Sequence, residues 1–420
     1  MTSRRRLLGE SLVLIVIRAL GVLLQLVVTV LVAHSLTLAE MGLYALFLAT
    51  INLARGLGPL GLDQASTRLL ALHADAGIDS ARVRDLSLAG ALLALAIAVL
   101  AALSAALVFG LGLGPSGYGT AERRVFIATL PAFIGIGLLL GQLRGLGHNL
   151  RAQIPDALGL QVASLALVGL FLATGELTLL HAMAALAAGG WLVLAFLLAF
   201  RLRLGGLRPG LPGSLALRDL VREGSGIFQA HVTTVATIHF PTYFAAATLG
   251  VSTVAILDIA QRFGNLGTLL TASIGATYNP SYARLGASAD RLGLKALVRD
   301  AGLLAGLPAI AIAVLFVVAG QFLIGALFPE DYLAALVPMA IIASGTAVNA
   351  LFSPASNVFL MSGQAGFVRH ATLLALGLVV LGCWLLGPLW GATGIALAIL
   401  AGRIARDGGL AAVLWWRLRG

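Results

Sequence analysis

Residues 18–68 read RALGVLLQLVVTVLVAHSLTLAEMGLYALFLATINLARGLGPLGLDQASTR, two apolar helices joined by a short turn, with Arg18 inside the first and Arg55 inside the second. A charge near the middle of a bilayer-length helix costs roughly 2.5–3.5 kcal/mol on insertion scales, so it is expected to face a protein interior or a wet cavity. The stretch also recurs. At an offset of 213 without gaps, SLTLAEMGLY (35–44) lies over TLGVSTVAIL (248–257), and Arg18 falls on His231. The letters are weakly identical, but the order of apolar helix, polar turn and apolar helix repeats, as it does in transporters built from two copies of one unit.

Composition sets the class. Of 420 residues, 60% are hydrophobic and 10% charged, with a mean hydropathy of +1.01, whereas soluble domains carry about 25% charge. The chain reads as a polytopic membrane protein. A net charge of +10 raises the question of nucleic acid, but the basic residues are scattered between apolar runs and form no stripe or tail, so no nucleic acid partner is expected. The single cysteine, Cys383, lies in an apolar run and excludes an intramolecular disulfide. Leu12–Val32 follows three arginines as a signal peptide would, yet it is longer than the 7–15 residues of a cleaved core and reads as a retained first span.

A helix needs about 20 apolar residues to cross the hydrocarbon. Such runs number twelve, near 11–33, 41–62, 86–109, 123–143, 155–174, 179–201, 226–247, 252–275, 301–323, 333–353, 367–387 and 391–414. Twenty of the 27 Lys and Arg residues fall on the side of both termini; two, Arg123 and Arg124, fall on the other. Basic residues favour the cytoplasm, so both termini are expected inside. The polar stretch around RPGLPG separates two lobes of six helices: 1–205, a cytoplasmic linker 206–224, and 225–420. An even helix count per lobe makes the repeat parallel. Span 2 ends in GLGPLGLD and span 7 contains Pro241, so both are expected to bend. Gly137, Gly141 and Gly145 form a small-residue ridge for close helix packing.

Nucleotide and metal chemistry fail on context. GxGxxG occurs at Gly56, Gly58, Gly61 and at Gly112, Gly114, Gly117, but in neither place does it follow a strand, and there is no Walker A sequence. The seven histidines make no HExxH or i, i+4 pair. No metal, cofactor or catalytic group is expected, and the chain is not read as an enzyme.

The candidate site residues are charges inside spans. Arg18 lies about seven residues inside span 1 and Arg55 about seven before the end of the antiparallel span 2, so two guanidinium groups can meet at one depth, where the fork of bidentate donors suits phosphate; the other reading has each arginine snorkelling to the interface. Asp258 and Arg262 are four apart on span 8, either a self-neutralising pair or a pathway pair that exchanges partners. Arg403 and Asp407 repeat that spacing on span 12, read as structural or as a subunit contact. Three arginines, Arg18, Arg55 and Arg262, share one sequence-near carboxylate, Asp258, so an anionic substrate is expected to offset the other two. Asp63, His231 and Asp258 are the titratable groups expected along a pathway, where they would serve H⁺ or Na⁺ coupling.

These residues lead to a family. The opening helices, with Glu40, Gly42, Leu43, Tyr44, Gly61, Leu62, Asp63 and Arg68, resemble the Wzx-like polysaccharide flippases of the multidrug/oligosaccharidyl-lipid/polysaccharide exporter superfamily. LRGLGHNLRA (143–152), AQRFGNL (260–266) and NPSYARL (279–285) extend the likeness through the chain. The resemblance implies an all-α fold of two six-helix lobes around a V-shaped cavity lined by helices 1, 2, 7 and 8. It implies transport of a polyprenyl-pyrophosphate-linked oligosaccharide by alternating access, with membrane lipid and polysaccharide polymerase machinery as partners. A cation-coupled multidrug exporter of the same fold is the alternative.

Overall fold

The turn that joins the first two spans is fixed by its own side chains. Thr37 caps the following helix: its Oγ1 accepts from the Glu40 amide at 3.3 Å, while the Glu40 carboxylate accepts from the Thr37 amide at 2.9 Å. This reciprocal pairing satisfies two of the amides that a helix start leaves bare. The LTLAE segment is therefore a helix-starting signal as well as a loop.

In the computed structural model the described residues are 2–73, 77, 80–175, 177–205, 212–268, 271, 274, 278, 279, 281, 282, 284, 285 and 291–419. They are helical, with no strand among them. The helices are α1 (Thr2–Ser35), α2 (Leu38–Leu57), α3 (Leu62–His73), α4 (Ala81–Gly110), α5 (Thr120–Gly145), α6 (Asn149–Ile154), α7 (Leu160–Ala173), α8 (Leu179–Arg203), α9 (Ser214–Thr248), α10 (Val251–Gly264), α11 (Arg291–Leu327), α12 (Leu336–Met361), α13 (Ala365–Arg403) and α14 (Gly409–Arg419). A π-helical turn, Pro155–Gly159, joins α6 to α7, and another, Ile404–Gly408, joins α13 to α14.

Nine helical stretches among the described residues are long and apolar enough to cross a membrane. Ten of the twelve expected spans map onto these stretches in order. Spans 11 and 12 form one continuous stretch, broken at Gly391 (φ 56°), where the reading placed the gap between them. Spans 7 and 8 fall on α9 and α10, which are absent from the nine: beyond Glu223 α9 carries no charge but is rich in Thr and His, and α10 has 14 residues before residues 269–290, which are described only in part.

The chain divides into two compact units, Met1–Val235 and Ala236–Gly420. The division lies inside α9, later than the expected seam. Of the expected linker 206–224, residues 206–211 lie outside the described residues and helix begins at Ser214. Pro241 lies within α9 without ending it.

In the first unit α5 is the centre. It packs on α2, α3, α4 and α8, and two-thirds of its most apolar window is buried, against about a tenth for α4. Where α2, α4 and α5 meet, Phe47, Phe109, Tyr118 and Phe126 interlock edge to face or tilted, and the Tyr118 hydroxyl donates to the Leu43 carbonyl at 2.6 Å. Such aromatic pairs add about 0.5–1.5 kcal/mol each beyond their burial. In the second unit α12 has that central place, packed on α10, α11, α13 and α14. Outward-facing Leu95, Leu100, Leu103 and Leu107 on α4, and Val317, Val318 and Phe322 on α11, are the surface a bilayer requires.

Candidate functional site

Span 2 does break at GLGPLGLD, and the break builds the site. α2 stops at Leu57, Leu60 and Gly61 take positive φ (50° and 80°), and α3 restarts at Leu62. Leu60 in that region is unfavourable for a side chain with a Cβ, a local strain of order 1 kcal/mol. Gly61 meets both demands of its position: the positive φ, and an approach of the α9 backbone so close that an added Cβ would lie 3.1 Å from the Phe228 nitrogen. The glycine ridge of α5 backs the same break. A Cβ on Gly137 would lie 2.8 Å from the Arg55 carbonyl oxygen, one on Gly141 would lie 2.6 Å from Asp63 Cα, and one on Gly145 would lie 2.7 Å from the Thr67 carbonyl oxygen. The ridge, expected only to pack helices, seats the backbone of two candidate site residues, Arg55 and Asp63.

Arg18 and Arg55 converge on one turn. Arg18 donates from Nη2 to Gln153 Oε1 at 3.2 Å, with Nε at 3.4 Å from the same oxygen. Arg55 Nη2 forms a short ion pair with Asp156 Oδ2. Gln153 and Asp156 are three residues apart, where α6 passes into the π-helical turn. α1 reaches this turn because Gly21 lacks a side chain: a Cβ there would sit 2.5 Å from the Ala157 carbonyl oxygen. Arg144, at the end of α5, lies within electrostatic range of Asp63, Asp156, Arg55 and Arg18. His231 on α9 lies within range of Asp63. The cluster holds three guanidinium groups and two carboxylates, one formal positive charge in excess.

The charge on Arg55 already has an offset in Asp156, so substrate is not required to supply it. Arg18 fits the reasoning better, since its partner is a neutral amide. Arg144, Gln153 and Asp156 were not singled out. Asp156 stood at the expected edge of span 5, where a carboxylate reads as a residue wetted at the interface; the signal available was Pro155-Asp156 inside an otherwise unbroken helical pattern.

In the second unit Arg262 Nε donates to Asp258 Oδ2 at 2.6 Å, the expected i, i+4 pair. Arg262 thus belongs to a different unit from Arg18 and Arg55. The expected pairing of Arg403 with Asp407 is replaced by separate partners. Arg403 donates to Asn265 Oδ1 (2.7 Å), Thr346 Oγ1 (2.6 Å) and the Ile342 carbonyl (3.2 Å), clamping the end of α10 to α12. Asp407, buried in the second π-helical turn, accepts from Asn349 Nδ2 at 2.9 Å and lies 3.8 Å from Arg406. The two side chains stay within electrostatic range of each other, but their hydrogen bonds go to Asn265, Thr346 and Ile342 on one side and to Asn349 on the other. Among the described residues, no three His, Cys, Asp or Glu side chains gather as metal ligands would.

The chain is thus a multi-span, all-α membrane protein with a cationic cluster inside its first unit. The family profile described as polysaccharide biosynthesis protein matches residues 7–285, and the chain belongs to that family. A search of curated sequences found no match. Among solved structures the fold is similar to an inward-facing multidrug resistance MATE family transporter of the MOP superfamily (TM-score 0.74, 15% identity, covering 95% of this chain and 94% of that one). It is also similar to the lipid II flippase MurJ in an inward closed conformation (0.73, 12%, 97% and 88%). A third is a MOP superfamily transporter from Pyrococcus furiosus, described as having reversed polarity of its binding pocket (0.63, 16%, 97% and 94%). These likenesses establish the fold.

Proposed function

We propose that the protein is a flippase that carries a polyprenyl-pyrophosphate-linked oligosaccharide from the cytoplasmic to the outer leaflet of the inner membrane by alternating access, with both termini cytoplasmic. The observation that carries this reading is the convergence of Arg18 and Arg55 on the Gln153–Asp156 turn, in a cluster with positive charge in excess. Pyrophosphate presents several acceptors to a guanidinium fork, and a half-buried site with surplus positive charge attracts it. Membership in the polysaccharide biosynthesis family supports a glycan as the rest of the cargo. Asp63, His231 and Asp258 are the groups proposed to couple transport to an H⁺ or Na⁺ gradient, and a polysaccharide polymerase is the proposed downstream partner.

The test is flipping of a fluorescent polyprenyl-pyrophosphate glycan in proteoliposomes. Arg18→Lys should impair it at equal protein abundance, because the charge stays and the fork is lost, and Arg18→Ala should abolish it. Flipping that survives Arg18→Ala and Arg55→Ala together would place the site elsewhere. The alternative, a cation-coupled drug exporter, draws support from the MATE neighbours. Efflux of cationic dyes without flipping would favour it, since a cationic cluster repels that cargo.

A further inference from the structure

The pair that neutralises Arg55 is incompletely made. Asp156 is 7% exposed and places one oxygen, Oδ2, on Arg55, while its other oxygen, Oδ1, is buried without a hydrogen-bond partner. A structural carboxylate in a dry interior normally has both oxygens satisfied, because an unmet buried acceptor costs about 1–3 kcal/mol. Arg55 is 30% exposed and engages through a single nitrogen, Nη2, leaving most of its fork unused by Asp156. Arg144 Nε is also buried and unpartnered, within electrostatic range of the same carboxylate. Arg18, reaching across from α1, rests on the neutral Gln153, three residues before Asp156. The carboxylate is carried by a π-helical turn, a register seldom kept in a helix without a use. The site thus has donors in surplus, a poorly held carboxylate, and an arginine open on one side.

We propose that Asp156 is a resident counter-ion for Arg55, holding the place that an anionic headgroup takes, so that binding exchanges the carboxylate for the cargo's phosphate. This rests on the reading that the cargo is a pyrophosphate. The exchange also sets specificity. A neutral or cationic molecule cannot compete with a carboxylate for a guanidinium, so the empty site stays closed to it, whereas a multiply charged phosphate outbids a single carboxylate.

Farnesyl pyrophosphate binding to the purified full-length chain in detergent tests this, with farnesol as the uncharged control. Asp156→Asn keeps the shape and removes the competitor, so it should bind farnesyl pyrophosphate roughly tenfold more tightly than the wild type, the direction expected when a like charge beside the site is removed. Binding of farnesol should not change, and turnover in proteoliposomes should fall as release slows. A carboxylate whose role is only to brace Arg55 predicts the opposite, weaker binding with loss of thermal stability, and that result would overturn the proposal. So would equal affinity. Should Asp156→Asn fail to fold, the wild type supplies a second reading. Dicyclohexylcarbodiimide modifies carboxyls in apolar surroundings, and its attachment to Asp156, followed by peptide mass spectrometry, should rise when farnesyl pyrophosphate is added. Unchanged or reduced labelling in a protein that binds the probe refutes the exchange alone, while absence of binding in both wild type and Asp156→Asn refutes the pyrophosphate reading and the exchange with it.

Discussion

Alanine at position 141 tests whether the candidate site is seated by backbone contact. The new methyl carbon would lie 2.6 Å from Asp63 Cα and 2.7 Å from Asp63 C, and it would also strike the Asp63 carbonyl oxygen. Carbon atoms pack best at about 3.5–4.0 Å, so α3 and α5 must separate by roughly 1 Å. All three atoms are backbone and cannot swing aside. Overpacking of this kind costs about 1–3 kcal/mol, and replacing glycine inside a helix returns about 1 kcal/mol of propensity. The net expectation for Gly141→Ala is a loss of up to about 2 kcal/mol. Gly169 on α7 supplies the control: nothing lies within 4 Å of a Cβ there. Gly169→Ala should therefore be neutral or gain up to about 1 kcal/mol. Reversible unfolding of both variants in mixed micelles, titrated with sodium dodecyl sulfate, reads the difference. Equal stabilities would show that α5 does not lie against the Asp63 backbone, and the account of how the site is positioned would fall with them.

Other outcomes follow from the same contacts. Arg55→Ala strands Asp156 in a buried setting and should cost about 2–4 kcal/mol, much of it recovered in the Arg55→Ala/Asp156→Ala double variant, as a mutant cycle would show. Arg403→Ala removes three hydrogen bonds that tie α10 to α12 and should lose about 2–4 kcal/mol; Arg403→Lys should not restore them, because an ammonium cannot reproduce the fork spanning Asn265 and Thr346. Breaking Arg68–Glu223, where the side chains are 64% and 32% exposed, should change stability by less than about 1 kcal/mol. In a background lacking Cys383, an impermeant thiol reagent should reach Cys introduced at Ser80 only from the cytoplasm and Cys introduced at Asp331 only from outside; the reverse pattern would invert the orientation and the direction of transport.

Much of the fold was legible because bilayer-length apolar runs and the bias of arginine between them leave few alternatives. The break at Gly391 was visible as the gap between two runs, and the break at Gly58–Gly61 as a cluster of Gly and Pro. α9 was harder, since its first turns carry four charges and read as a linker, yet Arg68–Glu223 and Arg82–Asp219 tie them to α3 and α4 of the first unit. The site was half legible. Arg18, Arg55 and the Asp258–Arg262 pair stand out as charges inside apolar helices. The partners of Arg18 and Arg55 lie 135 and 101 residues away, a separation over which helical spacing carries no information. Asp407 shows a different limit: i, i+4 spacing places it within electrostatic range of Arg403 but does not reveal Asn349 and Asn265, which take the hydrogen bonds from 58 and 138 residues away.

The π-helical turns have a consequence for insertions and deletions. Removing one residue from a straight α-helix rotates everything on one side of the cut by about 100° and exposes buried faces. Pro155–Gly159 and Ile404–Gly408 each already contain an additional residue, so each is a place where a helix can lose one and return to regular register with its outer face preserved. Each also carries a buried carboxylate, Asp156 in one and Asp407 in the other. Shortening either turn by one residue would leave a chain that inserts and folds with its lipid-facing surface intact, but with that carboxylate swung away from its arginine or asparagine partner. The protein can be retuned electrically at these two points without being rebuilt mechanically.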